Sequence, residues 1–282
     1  MNFKTKIIKI EGKSPEDFFQ NLITNDIKLL ENNQVLYSAM LTSQGKFLAD
    51  FIIIKYKNFL FLEVNREDIE EIIRLIKKYD IRKSFKISIE EKINTYFILY
   101  KNSPKNILDR LKKLKILKEG NDFIFFDPRK ENFLLRVWSL NDYLNKLPKK
   151  YKVSSSDKDL NLERIKNSVP DSSIDLEKEK SFILNYNFDA LNAVSFTKGC
   201  YIGQESTSRQ NYRGKIKYTL KTIKLVEGSF PKIHEILLVN SQKVGVMKSH
   251  VDNYGLALLR SDFYKVNHIF SLDKYHTRIQ II

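Results

Sequence analysis

The feature that most constrains this chain is a succession of short apolar runs with a period of two, cut by turns and interrupted twice by runs with a helical period. Val35 to Leu41 and Phe47 to Tyr56 read as strands joined by Thr42-Ser43-Gln44-Gly45, whose glycine suits a turn that needs positive φ. Lys57-Asn58 turns the chain again into Phe59 to Val64, which makes an antiparallel meander. Ile69, Ile72, Ile73 and Ile76 line one face of a helix that Asn65 can cap, and Phe85 to Glu90 and Tyr96 to Tyr100 return as strands. A second helix is expected around Asn106 to Leu117, before the paired strands Phe123 to Asp127 and Phe133 to Trp138. This order predicts an α+β fold of mixed antiparallel sheets with helices on one side.

Upstream, Ser14 followed by Pro15, Glu16 and Asp17 has the form of a helix start, with a hydroxyl cap, proline in the first turn and acids at the positive end of the dipole. Thr24-Asn25-Asp26 ends that helix. Between Lys146 and Lys180 the periodicity weakens through Ser154-Ser155-Ser156, a short helix near Leu160 to Lys166 and Pro170, so this stretch reads as a connection. Thr219 to Val226, Ile236 to Val239, Val244 to Ser249 and Gly255 to Leu259 then alternate as a small all-β barrel or sandwich. The boundary is expected near Arg213, giving one region over 1–213, with a ferredoxin-like subdomain around 46–138, and a C-terminal barrel over 214–282.

At 282 residues, 42% hydrophobic, with 19 Phe and 14 Tyr, the chain can build its core without disulfide or metal staples. The N-terminal MNFKTKIIKIEGK alternates apolar residues with Lys and has no signal-peptide core, and no apolar stretch approaches a membrane span; a cytoplasmic protein with no membrane partner is expected. The formal charge of +15 is spread along the chain. Its densest runs, Lys112, Lys113, Lys115 and Lys118 and then Lys146, Lys149, Lys150 and Lys152, read as solvated surface, so a dedicated nucleic-acid site is not expected. One cysteine, Cys200, excludes an internal disulfide and any CxxC site. His234, His250, His268 and His276 are too dispersed for a compact metal motif, and a single thiolate cannot hold an iron–sulfur cluster, which wants four ligands, so no metal site is expected on this chain alone, which leaves a cluster shared with a partner as the alternative.

Residues 195 to 205 read SFTKGCYIGQE and continue as STSRQNYRG to residue 214. The run KGCYIGQE, Lys198 to Glu205, resembles the full signature of the YgfZ folate-binding family, related in fold to the glycine-cleavage aminomethyltransferase. FFQNLITNDI (18 to 27), MLTSQGKFLADF (40 to 51), YDIRKSFKI (79 to 87), FDPR (126 to 129) and ERIKNSVPD (163 to 171) resemble further family elements in the same order. The chain departs from the pattern at Ile183-Leu184-Asn185, where relatives carry Pro-x-Glu, and at Ala49-Asp50, where the transferases carry paired acids. A carboxylate at 185 could accept two hydrogen bonds from a pterin edge, whereas the Asn185 amide offers one acceptor oxygen.

The resemblance implies a tetrahydrofolate site formed by Asn25, Asp50, Asn185, Tyr201, Gln204, Glu205 and Arg209, with Cys200 and Lys198 as reactive residues. It implies an accessory role in assembly or repair of iron–sulfur clusters, supporting enzymes such as tRNA methylthiotransferases, with iron–sulfur client or assembly proteins as partners. A folate-dependent aminomethyltransferase and a tRNA-binding module are the alternatives. From the residues themselves, Lys198 could favour the Cys200 thiolate, or Cys200 could be a small buried hydrophobe. Arg209 could fork onto a folate carboxylate or merely pair with Glu205. Asn25 could cap a helix, and Asp50 could bond turn amides or face a cavity.

Overall fold

The computed structural model describes residues 5–32, 34–120, 122–140, 156–212, 214, 216–263, 265, 267–274 and 276–282. The expected boundary at Arg213, the lysine run 146–152, and Ser154 and Ser155 lie outside the described residues.

Three antiparallel sheets build the protein. The first runs β2-β3-β4-β1-β5, from β1 (Thr5–Gly12), β2 (Leu36–Leu41), β3 (Phe47–Tyr56), β4 (Phe59–Asn65) and β5 (Phe85–Ile89). The alternating N-terminal segment becomes β1, a central strand between β4 and β5. Both faces of this sheet are covered. Ile8, Ile10, Phe51 and Ile53 face a core shared with α1 (Pro15–Gln20) and α2 (Ile69–Tyr79), while Ile7, Tyr37, Ile52 and Ile54 face the second sheet and the segments after residue 160. Double coverage explains why β2 and much of β3 are continuously buried, with few polar residues.

Asn65 caps as expected, its side chain accepting from Glu67 N at 3.1 Å, although it serves a 3₁₀ turn ahead of α2. Ser14 does not cap α1: it sits in the left-handed region at φ 50° and makes no side-chain cap bond. Its carbonyl closes the turn instead, accepting from Asp17 N at 3.2 Å.

The second sheet runs β6-β9-β8-β7, from β6 (Asn94–Leu99), β7 (Ile116–Glu119), β8 (Asp122–Phe126) and β9 (Leu134–Ser139). The expected helix to Leu117 is shorter: α3 (Lys105–Leu114) ends at Lys115, and Ile116–Glu119 pairs with β8. Ile107 and Leu111 of α3 pack on Ile98, Ile124, Leu135 and Val137. The stretch 46–138 therefore contributes strands to two sheets.

After α4 (Asp157–Lys166) and the single turn α5 (Ser172–Asp175), the third sheet runs β11-β12-β13-β10-β15-β14. Its strands are β10 (Tyr218–Glu227), β11 (Ile236–Val239), β12 (Gln242–Val251), β13 (Tyr254–Arg260), β14 (Ile269–Ser271) and β15 (Arg278–Ile281). Register shifts in three of its pairings bend it around Ile223, Met247, Leu259 and Ile279, curling it into a barrel. Arg164 of α4 ties the barrel to the rest: its guanidinium donates to Asp175 Oδ2 at 3.1 Å and to Ser249 Oγ at 2.8 Å, and Asp175 Oδ1 accepts from Ser249 N. No helix among the described residues is long and apolar enough to cross a membrane.

Candidate functional site

Two loops that are distant in sequence from it meet around the segment that carries Cys200. Thr24 Oγ1 donates to Ala193 O at 2.6 Å, and Thr24 O accepts from Ser195 N at 3.0 Å. The Asn25 amide donates to Tyr37 O at 2.9 Å and to Asn192 O at 2.7 Å. Ile202 N donates to Asn21 O at 3.1 Å. The Thr-Asn-Asp turn thus grips residues 192–202 along their length. From the other side, Gly203 at φ +83° lies against the β2–β3 turn, where a Cβ would come within 2.5 Å of Thr42 O and 3.0 Å of Gly45 Cα. Gly45, at φ +76°, lies equally close to Gly203 and Ser206. Both glycines are required by positive φ and by backbone-to-backbone approach. Gly203 leads into α6 (Gln204–Tyr212), which follows the cysteine loop directly.

Lys198 is 8% exposed, and its ammonium donates to the carbonyls of Gln20, Ile23 and Asn25 at 2.6, 2.8 and 2.7 Å. The Tyr201 ring lies 5.2 Å away. Burial pushes this lysine down to about 8, with Asp26 pulling it back up. All three ammonium hydrogens are spent on carbonyls, so Lys198 pins the loop and has no hydrogen left to donate to the neighbouring thiol. Tyr201 is also buried, and that burial pushes its phenol up to about 12. Between these two anchors, Gly199 and Cys200 are exposed. The thiol stands at the open apex of a loop fixed at both feet, and the reading of Cys200 as a small buried hydrophobe is excluded.

The other expected site residues are dispersed. Glu205 and Arg209 pair with each other at 2.8 Å on the exposed face of α6, worth a few tenths of a kcal/mol. Gln204 starts α6 with its N–H on Tyr201 O at 3.2 Å. Asn185 is half-buried in a 3₁₀ turn. Asn25 is spent on structural hydrogen bonds.

Asp50 belongs to a different place, with Tyr37 as the link: the Tyr37 carbonyl holds Asn25 while its hydroxyl donates to Asp50 Oδ2 at 2.6 Å. Burial raises the Asp50 carboxyl, while the Ser172 and Tyr37 hydroxyls and Arg129 draw it back. The hollow beside it is about 50 Å³, lined among others by Tyr37, Arg129, Arg136 and Ser172, and Asn185 is not on its wall.

Sequence reasoning passed over the groups that fill this space. Asp127 accepts from Arg129 Nε and Nη2 at 3.0 and 2.9 Å and from Arg136 Nε at 2.8 Å. Arg136 also pairs with Glu63, whose other oxygen accepts from Trp138 Nε1 at 2.7 Å. The Asp-Pro-Arg run at 127–129 was the signal present, two opposite charges at hairpin spacing amid apolar strands.

Tetrahydrofolate does not fit this hollow. Small-molecule sites are commonly about 300–1,000 Å³, and the polar groups here already satisfy one another. Titrating tetrahydrofolate into the protein by calorimetry, without oxygen, is expected to give no saturable heat that depends on Asp50. A one-to-one isotherm that Asp50→Ala abolishes would overturn this conclusion.

Comparison with known proteins agrees with the fold. Residues 217–278 match the family described as CAF17, C-terminal beta-barrel domain. The chain's homologues include the iron-sulfur cluster assembly factor IBA57 homolog of Neurospora crassa, 28% identical over 243 residues, covering 81% of this chain and 54% of that protein. They also include the tRNA-modifying protein YgfZ of Hamiltonella defensa, 27% identical over 278 residues, covering 92% and 82%. The chain spans little more than half of the IBA57 homologs of Neurospora crassa and Dictyostelium discoideum, 54% and 58%. The glycine cleavage system aminomethyltransferase T of Bartonella henselae superposes with a TM-score of 0.75 over 99% of this chain and 82% of its own, at 13% identity, and so shares the fold.

Proposed function

We propose that this chain is an accessory factor in iron–sulfur cluster assembly that uses Cys200 as a single, exposed thiolate ligand for a cluster in transit. The observation that carries this reading is the contrast within four residues, with Lys198 and Tyr201 buried and Cys200 open. A loop held this firmly presents its sulfur in one position, which favours exchange with a docked partner over capture of free metal. The names of the IBA57 and YgfZ homologues support the cluster, and tRNA-modifying iron–sulfur enzymes are natural recipients.

One thiolate cannot retain a cluster, and among the described residues no group of three or more His, Cys, Asp and Glu side chains could hold a metal ion. The cluster is therefore cargo shared with a partner. Cys200 Sγ bonds to one iron as a partner thiolate leaves it; the proton lost by Cys200 passes to the departing sulfur, and no electrons change hands. Tetrahydrofolate takes no part in this scheme. A one-carbon transferase is disfavoured by Ala49 and Asn185, which lack the acids that chemistry would use. A single free cysteine suits a reducing compartment, and the cytoplasm is the compartment we propose.

The test is anaerobic mixing of the protein with a cluster-loaded scaffold protein and an apo recipient, followed by visible absorption and recipient activity. The protein is expected to raise the rate or yield of transfer over scaffold alone. No acceleration at equimolar protein would sink the proposal.

A further inference from the structure

We propose that a groove between the C-terminal turn of α3 and the turn at Pro128–Asn132 binds a nucleoside phosphate. The groove is about 560 Å³, within the usual range for small-molecule sites. Its floor is aromatic: Tyr100 and Phe126 lie side by side, ring centroids 6.1 Å apart and tilted by 37°, with Pro128 continuing the apolar surface. Such a floor suits the face of a flat base, whose stacking on an aromatic side chain is worth about 1–3 kcal/mol.

The rim is cationic, from two walls. Lys112 and Lys115 come from the end of α3 and Lys130 from the opposite turn, and among the described residues none of the three is in an ion pair. Lysines near a helix C-terminus commonly offset its dipole, which accounts for Lys112. It accounts neither for Lys130 on the facing wall nor for the backbone of Lys115. That residue sits at φ 64°, ψ −49°, a sparsely populated conformation held by its N–H on Leu111 O at 2.9 Å. Strain of this kind persists where the surroundings impose it, and here it places a lysine on the groove.

Two facing walls of like charge repel until an anion lies between them, and ammonium groups act on phosphates as point charges. Two lining acids oppose this. Asp127 has its charge met by Arg129 and Arg136, which leaves Glu131 against three lysines. The amides of Gln34 and Asn132 line the same space and can donate to and accept from the edge of a base. Stacking floor, amide edge and phosphate-binding rim together define one ligand class, independent of the role assigned to Cys200.

Calorimetric titration of the full chain with ATP and GTP, beside adenosine and inorganic tripolyphosphate, tests this. At least one nucleotide is expected to bind one-to-one, at least tenfold tighter than adenosine or tripolyphosphate. Lys115→Ala/Lys130→Ala should weaken nucleotide binding at least tenfold and flatten its salt dependence, and Tyr100→Ala should weaken it while sparing tripolyphosphate. Circular dichroism melts confirm that each variant folds; the lysine pair is exposed, so that variant carries the test if Tyr100→Ala does not fold. The proposal is overturned by an absence of saturable nucleotide binding or by binding indifferent to the lysine pair. It is equally overturned if tripolyphosphate binds as tightly as nucleotide, which would make the groove a charged patch only.

Discussion

Cys200→Ala is expected to bring cluster transfer down to the level seen without the protein, while leaving its stability within about 0.5 kcal/mol of wild type, as befits an exposed side chain with no packing role. Cys200→Ser is expected to fail equally, because a hydroxyl keeps the shape but is a hard, protonated ligand where iron in a sulfide cluster takes a soft thiolate. Recipient activation in the anaerobic assay and a denaturant melt are measured on the same preparations. Lys198→Met provides the contrast. It strands the carbonyls of Gln20, Ile23 and Asn25, at about 1–3 kcal/mol for each buried group left unpaired, so activity and stability should fall together. Full transfer by Cys200→Ala would remove the thiol from the mechanism.

The second large effect is structural. Arg136→Met is expected to cost about 3–5 kcal/mol in urea unfolding at neutral pH, since it leaves Glu63 buried without its counter-charge and removes one of the two guanidinium groups on Asp127. The loss also separates the sheets, because Glu63 stands on β4 and Arg136 and Trp138 on β9. Replacing both partners, Glu63→Leu with Arg136→Met, should recover much of the loss, because no lone charge then remains at that pair.

The pH dependence has a definite sign. Burial alone would raise the Asp127 carboxyl, but Arg129 and Arg136 hold it well below the usual carboxylate range. A depressed carboxyl contributes stability that is complete above its unfolded value and is lost as pH falls through the folded one. The gap between wild type and Arg136→Met should therefore narrow in acid. A cost under about 1 kcal/mol at neutral pH would show that this network does not join the sheets.

Much of the architecture was legible from alternation and turn residues. Phe47–Tyr56 and Phe59–Asn65 form the expected hairpin around Lys57-Asn58, and Ile69, Ile72 and Ile76 bury the expected helical face. The N-terminal strand was not expected although apolar residues alternate with Lys there, because adjacent Ile7 and Ile8, each on a covered face of the sheet, break the period of two. The end of α3 at Lys115 was hidden because no glycine or proline marks it.

At the candidate site, the run from 198 to 205 is the segment that the Thr-Asn-Asp turn and the β2–β3 turn enclose, and Cys200 stands exposed within it. The contacts of Lys198 were not legible in the sequence, for a physical reason. Proximity along the chain suggested a partner two residues away, whereas its ammonium is drawn to three carbonyls 173 to 178 residues distant. Asp50 does line a hollow, as one of its two readings had it, but nothing local shows that the hydroxyls of Tyr37 and Ser172 meet it there beside Arg129.

What the chain's order of residues determined by itself was short-ranged: strand and helix periods, the turns at Thr42–Gly45 and Lys57-Asn58, one thiol and the segment that carries it. These follow from steric and hydrophobic preferences that act within a few residues. Only the tertiary structure decided which charges are buried against each other, that the hollow by Asp50 is small, and that the thiol is exposed. Hydrogen-bond satisfaction and the cost of desolvating charge are settled among groups that the fold brings together from far apart in sequence.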